Sequence, residues 1–131
     1  VPMERRLELP VAEEMQMGMS IGLSLQGIIP VSVYPRMDFL LLAMNQLVNH
    51  LDKLEAMSRG QYRPKVIIRT KVGARTPLHA GPQHTQDHVL AFRLMLTNVS
   101  VIQLNRLDMA VPVYQAALKS VNSTLVVEDI R

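Results

Sequence analysis

The sequence contains no cysteine and no tryptophan, and its aromatic residues are three tyrosines and two phenylalanines. Without cysteine, a disulfide framework, a thiolate nucleophile and a cysteine-ligated zinc site are excluded. So few aromatic side chains argue against a surface on which nucleic-acid bases stack. The basic residues behind the net charge of +3 are scattered along the chain, which favours a mildly basic surface over a nucleic-acid interface.

Long hydrophobic runs are also missing. The longest strictly apolar run extends from Phe39 to Met44, and polar residues and Pro30 interrupt the uncharged stretch at 15–35. A transmembrane helix needs about 20 predominantly apolar residues, so no membrane span is predicted. The chain opens without the basic and apolar segments of a secretory signal. We expect a protein of the cytoplasm, or of the mitochondrial matrix in a eukaryote, and one processed or excerpted from a longer chain because it begins with Val1.

Apolar residues make up 48% and charged residues 19% of the 131 residues, a balance typical of a folded domain. A chain of this length can bury a core of its own. We expect residues 1–131 to form a single domain.

Hydrophobic patterning predicts an alternation of strands and helices. Apolar, β-branched runs predict buried strands, and apolar residues at helical spacing predict helices. Asp38 and Asp87 are the expected caps of the second and third helices, Gly27 and Gly60 are expected to end the first and second, and Asp52 is expected on a polar helix face. The predicted strands are 6–9, 28–34, 65–71, 99–104 and 124–128, and the predicted helices are 11–26, 39–57, 88–96 and 108–120.

The fold class follows from this alternation. Because the predicted strands are apolar throughout, both faces of the sheet should be covered. The sequence therefore predicts an α/β fold with a parallel sheet and helices on both faces. In such sheets ligands bind at the carboxyl ends of the strands. Three loops, at 10–14, 34–39 and 72–87, are expected at that edge.

These loops contain few residues suited to chemistry. Glu13 and Glu14 lie in the first turn of the first helix, where acids interact favourably with the helix dipole, and spacing alone favours that role for both. His79, His84 and His88 lie close together in sequence, but the expected helix start separates the last two and the zincin pattern is absent, so no metal site is predicted. A single loop histidine that transfers a proton or contacts a substrate is the preferred interpretation.

A family resemblance begins at residues 9–27, LPVAEEMQMGMSIGLSLQG. This segment resembles the "TPISE…G…G…G" segment of the β subunits of thiamine-diphosphate-dependent 2-oxoacid dehydrogenases, which include the pyruvate, branched-chain 2-oxoacid and acetoin dehydrogenases. The order and spacing of further segments carry the resemblance over nearly the whole chain from Arg6 onward. These segments are 30–39, 45–53, 56–61, 64–69, 83–86 and 124–128.

The resemblance implies the pyrimidine-binding domain of the transketolase-like fold, and it assigns three roles. Glu13, which follows Pro10 by three residues, matches the glutamate that activates the cofactor. Phe39 matches the aromatic position that stacks on the aminopyrimidine ring. His84 matches the active-site histidine of the family's "QHSQ" segment. One of these residues falls in each of the three loops.

The implied function is the oxidative decarboxylation of a 2-oxo acid with acyl transfer to a lipoyl group. The resemblance implies an enzyme subunit that is active only with an α-type partner. Thiamine diphosphate is the implied cofactor, with its pyrimidine half bound here. The resemblance also implies that the diphosphate and magnesium are bound by the partner subunit, and this chain carries no equivalent of the "GDG…N" motif. A lipoyl-bearing acyltransferase and a second copy of the chain are further expected partners, whereas nucleic acid and membrane are not.

The chain also departs from the family. We expect the family's earlier strand and helix and its second domain to be absent, and the loop at 72–82 carries Arg75 and His79 in place of a glycine-rich pattern. The identity of the 2-oxo acid therefore stays open. Two other interpretations also stay open: a non-catalytic assembly domain of the same fold, and a relative of transketolase or deoxyxylulose-phosphate synthase. The segment at 57–61 favours the dehydrogenase type over the latter.

Overall fold

Four parallel strands form the centre of the molecule. The computed structural model describes residues 1–129, and its strands are β1 (Val31–Tyr34), β2 (Ile67–Lys71), β3 (Ser100–Leu104) and β4 (Thr124–Glu128). They lie in the order β1-β2-β4-β3, and every neighbouring pair is parallel. The parallel sheet predicted from the sequence is therefore confirmed.

Helices connect the strands. A 3₁₀ turn (Leu41–Ala43) and a π-helical segment (Asn45–Leu51) follow the second α-helix and precede the third. Further 3₁₀ turns lie at Met3–Arg5, Pro82–His84 and Leu107–Met109. The α-helices are α1 (Glu13–Leu25), α2 (Met37–Leu40), α3 (Leu54–Met57), α4 (Val89–Met95) and α5 (Ala110–Lys119).

Helices lie on both faces of the sheet, as predicted. One face carries the main core, to which α1, α2 and α4 contribute the fully buried side chains of Met17, Leu40 and Phe92. The opposite face carries α5, where the hydroxyl of Tyr114 donates a hydrogen bond to Glu128 on β4 at 2.9 Å, and it leaves Val31 and Val33 of β1 51% and 44% exposed. Successive strand residues point to opposite faces of a sheet, so Glu128 lies on the face opposite to the core.

The strand predicted at 6–9 is wrong. These residues form no strand, and Leu7 is 61% exposed. A segment with two leucines and two charged residues has little apolar surface to bury, and a strand also needs a neighbour to satisfy its backbone hydrogen-bonding groups. The segment instead links the 3₁₀ turn at Met3–Arg5 to α1.

The single regular helix predicted at 39–57 is also wrong. The helical region begins at Met37, so Asp38 lies inside the first turn instead of capping it, and its carboxylate contacts Gln86. Further along, the backbone N–H of Asp52 donates to the carbonyl of Leu47 at 3.0 Å, five residues back. This π-type turn brings Asp52, expected on a polar face, into the interior, where it is 1% exposed.

The remaining predicted elements are confirmed within a few residues at each end. Gly27 and Gly60 end the first and second helical regions with φ angles of 84° and 80°, a conformation that favours glycine. Asp87 accepts a hydrogen bond from the backbone N–H of Val89 at 3.0 Å and so supports the start of α4. Among the described residues, no helix is long and apolar enough to cross a membrane.

Candidate functional site

The three loops predicted to carry the site meet at the carboxyl edge of the sheet. The start of α1 lies against the end of β1, because the hydroxyl of Tyr34 donates a hydrogen bond to the backbone carbonyl of Glu13 at 3.3 Å. The loop at 34–39 contacts the loop at 72–87 through the side chains of Asp38 and Gln86. Parallel strands bring their carboxyl ends to one edge, and these contacts join the loops there.

Glu13 is the first residue of α1 and is half-buried. The preceding Ala12 offers no side-chain cap, so acids in this first turn meet free backbone N–H groups. Burial raises the pKa of Tyr34 to about 12, with a hydrogen bond to Ser32 opposing the rise and the negative charge of Glu13 adding to it. The carboxylate of Glu13 therefore acts electrostatically on the end of β1.

Glu14 has a different environment. Its carboxylate accepts a hydrogen bond from Asn45 Nδ2 at 3.0 Å, and Asn49 Nδ2 in turn donates to Asn45 Oδ1 at 3.1 Å. Glu14 is thus tied to the π-helical segment, whereas Glu13 interacts with β1. The structure separates two neighbouring acids that spacing alone could not distinguish.

Phe39 and His84, predicted from two different loops, are in contact. Their ring centroids lie 5.3 Å apart with an interplanar angle of 82°, the edge-to-face arrangement that aromatic pairs favour. Phe39 is 39% exposed and is therefore not a fully buried core residue. His84 is half-buried at the end of the 3₁₀ turn Pro82–His84.

Gly73 allows the loop that carries His84 to approach the end of β2 closely. A Cβ atom at position 73 would overlap the backbone carbonyl oxygen of His84, so a side chain there would force the loop away. Within the loop, Thr85 Oγ1 donates to the carbonyl of Gly81 at 3.2 Å. The backbone of His84 is thereby held beside the sheet edge.

Unpaired polar atoms concentrate at this same edge. In residues 1–129, the buried side-chain atoms without a hydrogen-bond partner are Arg36 Nε, Asp38 Oδ2, Thr70 Oγ1 and His88 Nε2. These residues lie after β1, near the end of β2 or directly before α4. Leaving such an atom unpaired costs about 1–3 kcal/mol, and native proteins contain few of them. Their concentration points to the carboxyl edge as the functional part of the molecule.

Sequence reasoning missed two features of the site. The sequence places Tyr34 at the end of a strand and the start of the loop at 34–39 but predicts no role for its hydroxyl, and it predicts Asp38 as a helix cap, whereas the carboxylate of Asp38 pairs with Gln86. The sequence contains one weak indication that Asp38 belongs to the site, because Asp38 directly precedes the predicted site residue Phe39. Within the described part of the chain, no hydrogen bond joins Glu13 to Phe39 or His84, whereas the rings of Phe39 and His84 contact each other.

Comparison with known proteins gives one consistent result. No protein-family model matches the chain. The chain is 30% identical over 126 residues to the pyruvate dehydrogenase E1 component subunit beta-4, chloroplastic, of Oryza sativa subsp. japonica, which covers 96% of this chain and 31% of the rice protein. It is 31% identical over 126 residues to the subunit beta-3, chloroplastic, of Arabidopsis thaliana, covering 96% and 30%. It is 38% identical over 82 residues to the subunit beta of Gracilaria tenuistipitata var. liui, covering 63% and 25%.

The all-parallel sheet with helices on both faces agrees with a transketolase-like pyrimidine-binding domain. The sequence comparisons then indicate which proteins the chain resembles within this class of fold. The chain is similar over 96% of its length to pyruvate dehydrogenase E1 β subunits, and it spans about a third of the length of the rice and Arabidopsis relatives that it matches.

Proposed function

We propose that the chain acts as a β-type component of a thiamine-diphosphate-dependent 2-oxoacid dehydrogenase, or as part of one. In this proposal it works with an α-type subunit to decarboxylate a 2-oxo acid oxidatively and to transfer the acyl group to a lipoyl group. The observation that carries the proposal is the position of Glu13, Phe39 and His84, which come from three loops and lie at one edge of the sheet. The similarity to pyruvate dehydrogenase E1 β subunits supports the same class.

The residues at this edge suit the pyrimidine half of thiamine diphosphate. Phe39 exposes 39% of its surface, enough for an aromatic ring to stack on. The half-buried carboxyl group of Glu13 can bond to a ring nitrogen, and four buried polar atoms after β1, near the end of β2 and before α4 have no hydrogen-bond partner among residues 1–129. In this proposal the α-type partner holds the diphosphate and magnesium.

Each residue has a separate task in the reaction. When bound, thiamine diphosphate supplies the electron sink for the loss of carbon dioxide from a 2-oxo acid. Glu13 holds, at its carboxyl group, the proton that activation of the pyrimidine requires. Phe39 orients the ring by stacking, and His84 orients the substrate or donates a proton to it.

The proposed function also implies further partners and a cellular compartment. A lipoyl-bearing acyltransferase would accept the acyl group, and self-association of the chain would complete the assembly. The proposed location is the cytoplasm, or the mitochondrial matrix of a eukaryote.

The hydrogen–deuterium exchange of the thiazolium C2 proton tests the central role. The chain is assembled with an α-type subunit, and exchange is compared between wild type, Glu13→Gln and Glu14→Gln. Glutamine keeps the size of the side chain but cannot hold the acidic proton, so exchange in Glu13→Gln should slow by roughly 100-fold or more. Glu14→Gln should exchange normally and lose about 0.3–1 kcal/mol of stability, since the removed charge lies at a helix end.

Two other results would contradict the assignment. Slow exchange in Glu14→Gln with normal exchange in Glu13→Gln would show that the wrong carboxylate was chosen. Normal exchange in both variants would remove the catalytic role from α1 and favour a non-catalytic assembly domain.

A further inference from the structure

Asp38 and Gln86 form a contact between two loops that are far apart in sequence. Asp38 Oδ1 accepts a hydrogen bond from Gln86 Nε2 at 2.8 Å and a second from the backbone N–H of Gln86 at 3.3 Å. A single carboxylate oxygen therefore holds both the side chain and the backbone of its partner. Asp38 is only 7% exposed, whereas Gln86 is exposed, so the contact joins a buried carboxylate to a residue at the surface of the loop.

This contact flanks the aromatic pair of the candidate site. Asp38 directly precedes Phe39, and Gln86 follows His84 by two residues. The rings of Phe39 and His84 meet edge to face with centroids 5.3 Å apart. A contact so close in sequence to both rings limits how far the loop of His84 can move relative to α2.

The second oxygen of the Asp38 carboxylate allows a substitution that tests the contact between Asp38 and Gln86. Asp38 Oδ2 is buried and has no hydrogen-bond partner among residues 1–129. Replacing this oxygen with an amide nitrogen removes no hydrogen bond, and the remaining oxygen can still accept from Gln86. Asparagine at position 38 should therefore preserve the contact, whereas alanine removes it.

We propose that Asp38 and Gln86 are positioning residues, which set the His84 ring against Phe39 and thereby aim His84 at the substrate. Functional side chains must be held within about 0.5 Å of their productive geometry, and a misplacement of about 1 Å can lower a rate by roughly 100-fold. The effect on ring geometry depends only on the contacts described above, whereas the effect on turnover rests on the proposed function.

Histidine NMR spectra test the ring geometry without cofactor. The chain is labelled with ¹³C at histidine, and the His84 signal is assigned from its loss in His84→Asn. Its shift difference between wild type and Phe39→Leu then reports the ring-current effect of Phe39. Gln86→Ala should lose most of this effect, and the exposed Gln83→Ala, in the same loop, should keep it as a matched control.

A double-mutant cycle adds chemical specificity. Gln86→Glu places a second carboxylate against Asp38, so it should lose the ring-current effect as Gln86→Ala does. Asp38→Asn should retain the effect, because its amide oxygen still accepts from Gln86. Asp38→Asn combined with Gln86→Glu should restore the effect, since the introduced asparagine amide can donate to the new carboxylate.

Turnover of the assembled enzyme tests the consequence. Gln86→Ala should lower kcat by roughly tenfold or more, while C2 proton exchange, which depends on Glu13, stays within about twofold of wild type. Gln83→Ala should keep wild-type kcat. Equal losses of kcat and C2 exchange in Gln86→Ala would contradict a specific role in aiming His84.

The spectra and the exchange measurement separate the two proposals. An unchanged His84 shift in Gln86→Ala would overturn the positioning role, whatever the enzyme does. If wild-type protein shows no C2 exchange with any α-type partner, the proposed function fails, and the histidine spectra still decide whether Asp38 and Gln86 set the ring geometry.

Discussion

Two buried aspartates lie at opposite edges of the sheet and have opposite environments. Asp52, at the amino edge, accepts hydrogen bonds from the backbone N–H groups of residues 97–99 at 2.8–3.1 Å, from Thr97 Oγ1 at 2.9 Å and from Lys53 Nζ at 2.6 Å. Both of its carboxylate oxygens are used. Asp38, at the carboxyl edge, uses one oxygen for Gln86 and leaves the other unpaired.

The difference indicates what each edge is built to do. The amino edge satisfies its buried charge fully, so Asp52 acts as a structural link between the π-helical segment and the entrance to β3. The carboxyl edge leaves buried polar atoms without partners and keeps Phe39 part-exposed. Proteins commonly give up such local consistency at functional sites. Substitutions at the amino edge should therefore affect stability, and those at the carboxyl edge should affect binding and turnover.

Asp52→Ala should give the largest loss of stability. Truncation leaves the backbone N–H groups of residues 97–99 without their acceptor, and at about 1–3 kcal/mol for each unsatisfied donor the loss should reach about 3–5 kcal/mol. Denaturant unfolding of wild type and variant measures the loss. Glu14→Gln, which removes an exposed acid, is the matched control. A loss no larger than that of the control would show that the two edges do not differ as proposed.

Low pH should weaken the link that Asp52 makes to the backbone of residues 97–99. Burial alone would raise the pKa of Asp52, but Lys53 and the backbone N–H groups of residues 97–99 outweigh it and lower the pKa from 3.8 to about 2. Since the pKa is lower in the folded state than in the unfolded state, the stabilisation is complete above about pH 4 and is lost as the pH falls towards 2. It amounts to roughly 2–3 kcal/mol.

The unfolding free energy measured from pH 6 to pH 2 checks this. Wild type should lose more stability across the acid limb than Asp52→Asn, which has no carboxylate to protonate at this position. Parallel pH profiles in the two proteins would contradict the assignment.

The carboxyl edge was largely predictable from the sequence, and the amino edge was not. Strand and helix alternation places the loops of Phe39 and His84 at one edge, because parallel strands share their carboxyl ends. The loop of Glu13 lies at the same edge although the strand predicted before it is absent, and its contact there is with Tyr34 at the end of β1. The link through Asp52 depends on a π-type turn, which shifts the helical period by one residue. A regular 3.6-residue period assigns Asp52 to a polar face, and nothing in the local sequence marks the extra residue.

Fine contacts within the site were also beyond sequence reasoning. Asp38 has the sequence pattern of a helix cap, and only the folded chain shows that its carboxylate accepts a hydrogen bond from Gln86, 48 residues away. Glu13 and Glu14 are equivalent by spacing, and the separate contacts with Tyr34 and Asn45 distinguish them. Such choices are decided by tertiary contacts, which periodicity does not encode.

Phe39→Ala should cost less stability than Asp52→Ala and more cofactor binding. Because Phe39 is 39% exposed, its truncation should cost about 1–2 kcal/mol, below the 3–5 kcal/mol typical of a buried phenylalanine. Loss of a stacking surface should weaken thiamine diphosphate binding in the α-containing assembly by roughly tenfold. Calorimetric titration of wild type, Phe39→Ala, Phe39→Tyr and Phe39→Trp checks this, and the two aromatic variants should bind normally. An unfolded alanine variant, or one with wild-type affinity, would identify Phe39 as a packing residue.

His84→Ala should have the smallest effect on stability and a clear effect on turnover. The backbone of His84, which Gly73 accommodates, is unchanged by the substitution, so only the ring contact with Phe39 is lost, a contribution below about 1 kcal/mol. Removal of a group that donates or accepts a proton should lower 2-oxo acid turnover by roughly 100-fold. His79→Ala, in the exposed part of the same loop, should leave both melting temperature and turnover unchanged. If both variants lost turnover equally and added zinc restored it, the loop would hold a metal instead. If His84→Ala kept full turnover while Asp52→Ala lost it through unfolding, the chemistry would lie elsewhere and the contrast between the two edges would concern stability alone.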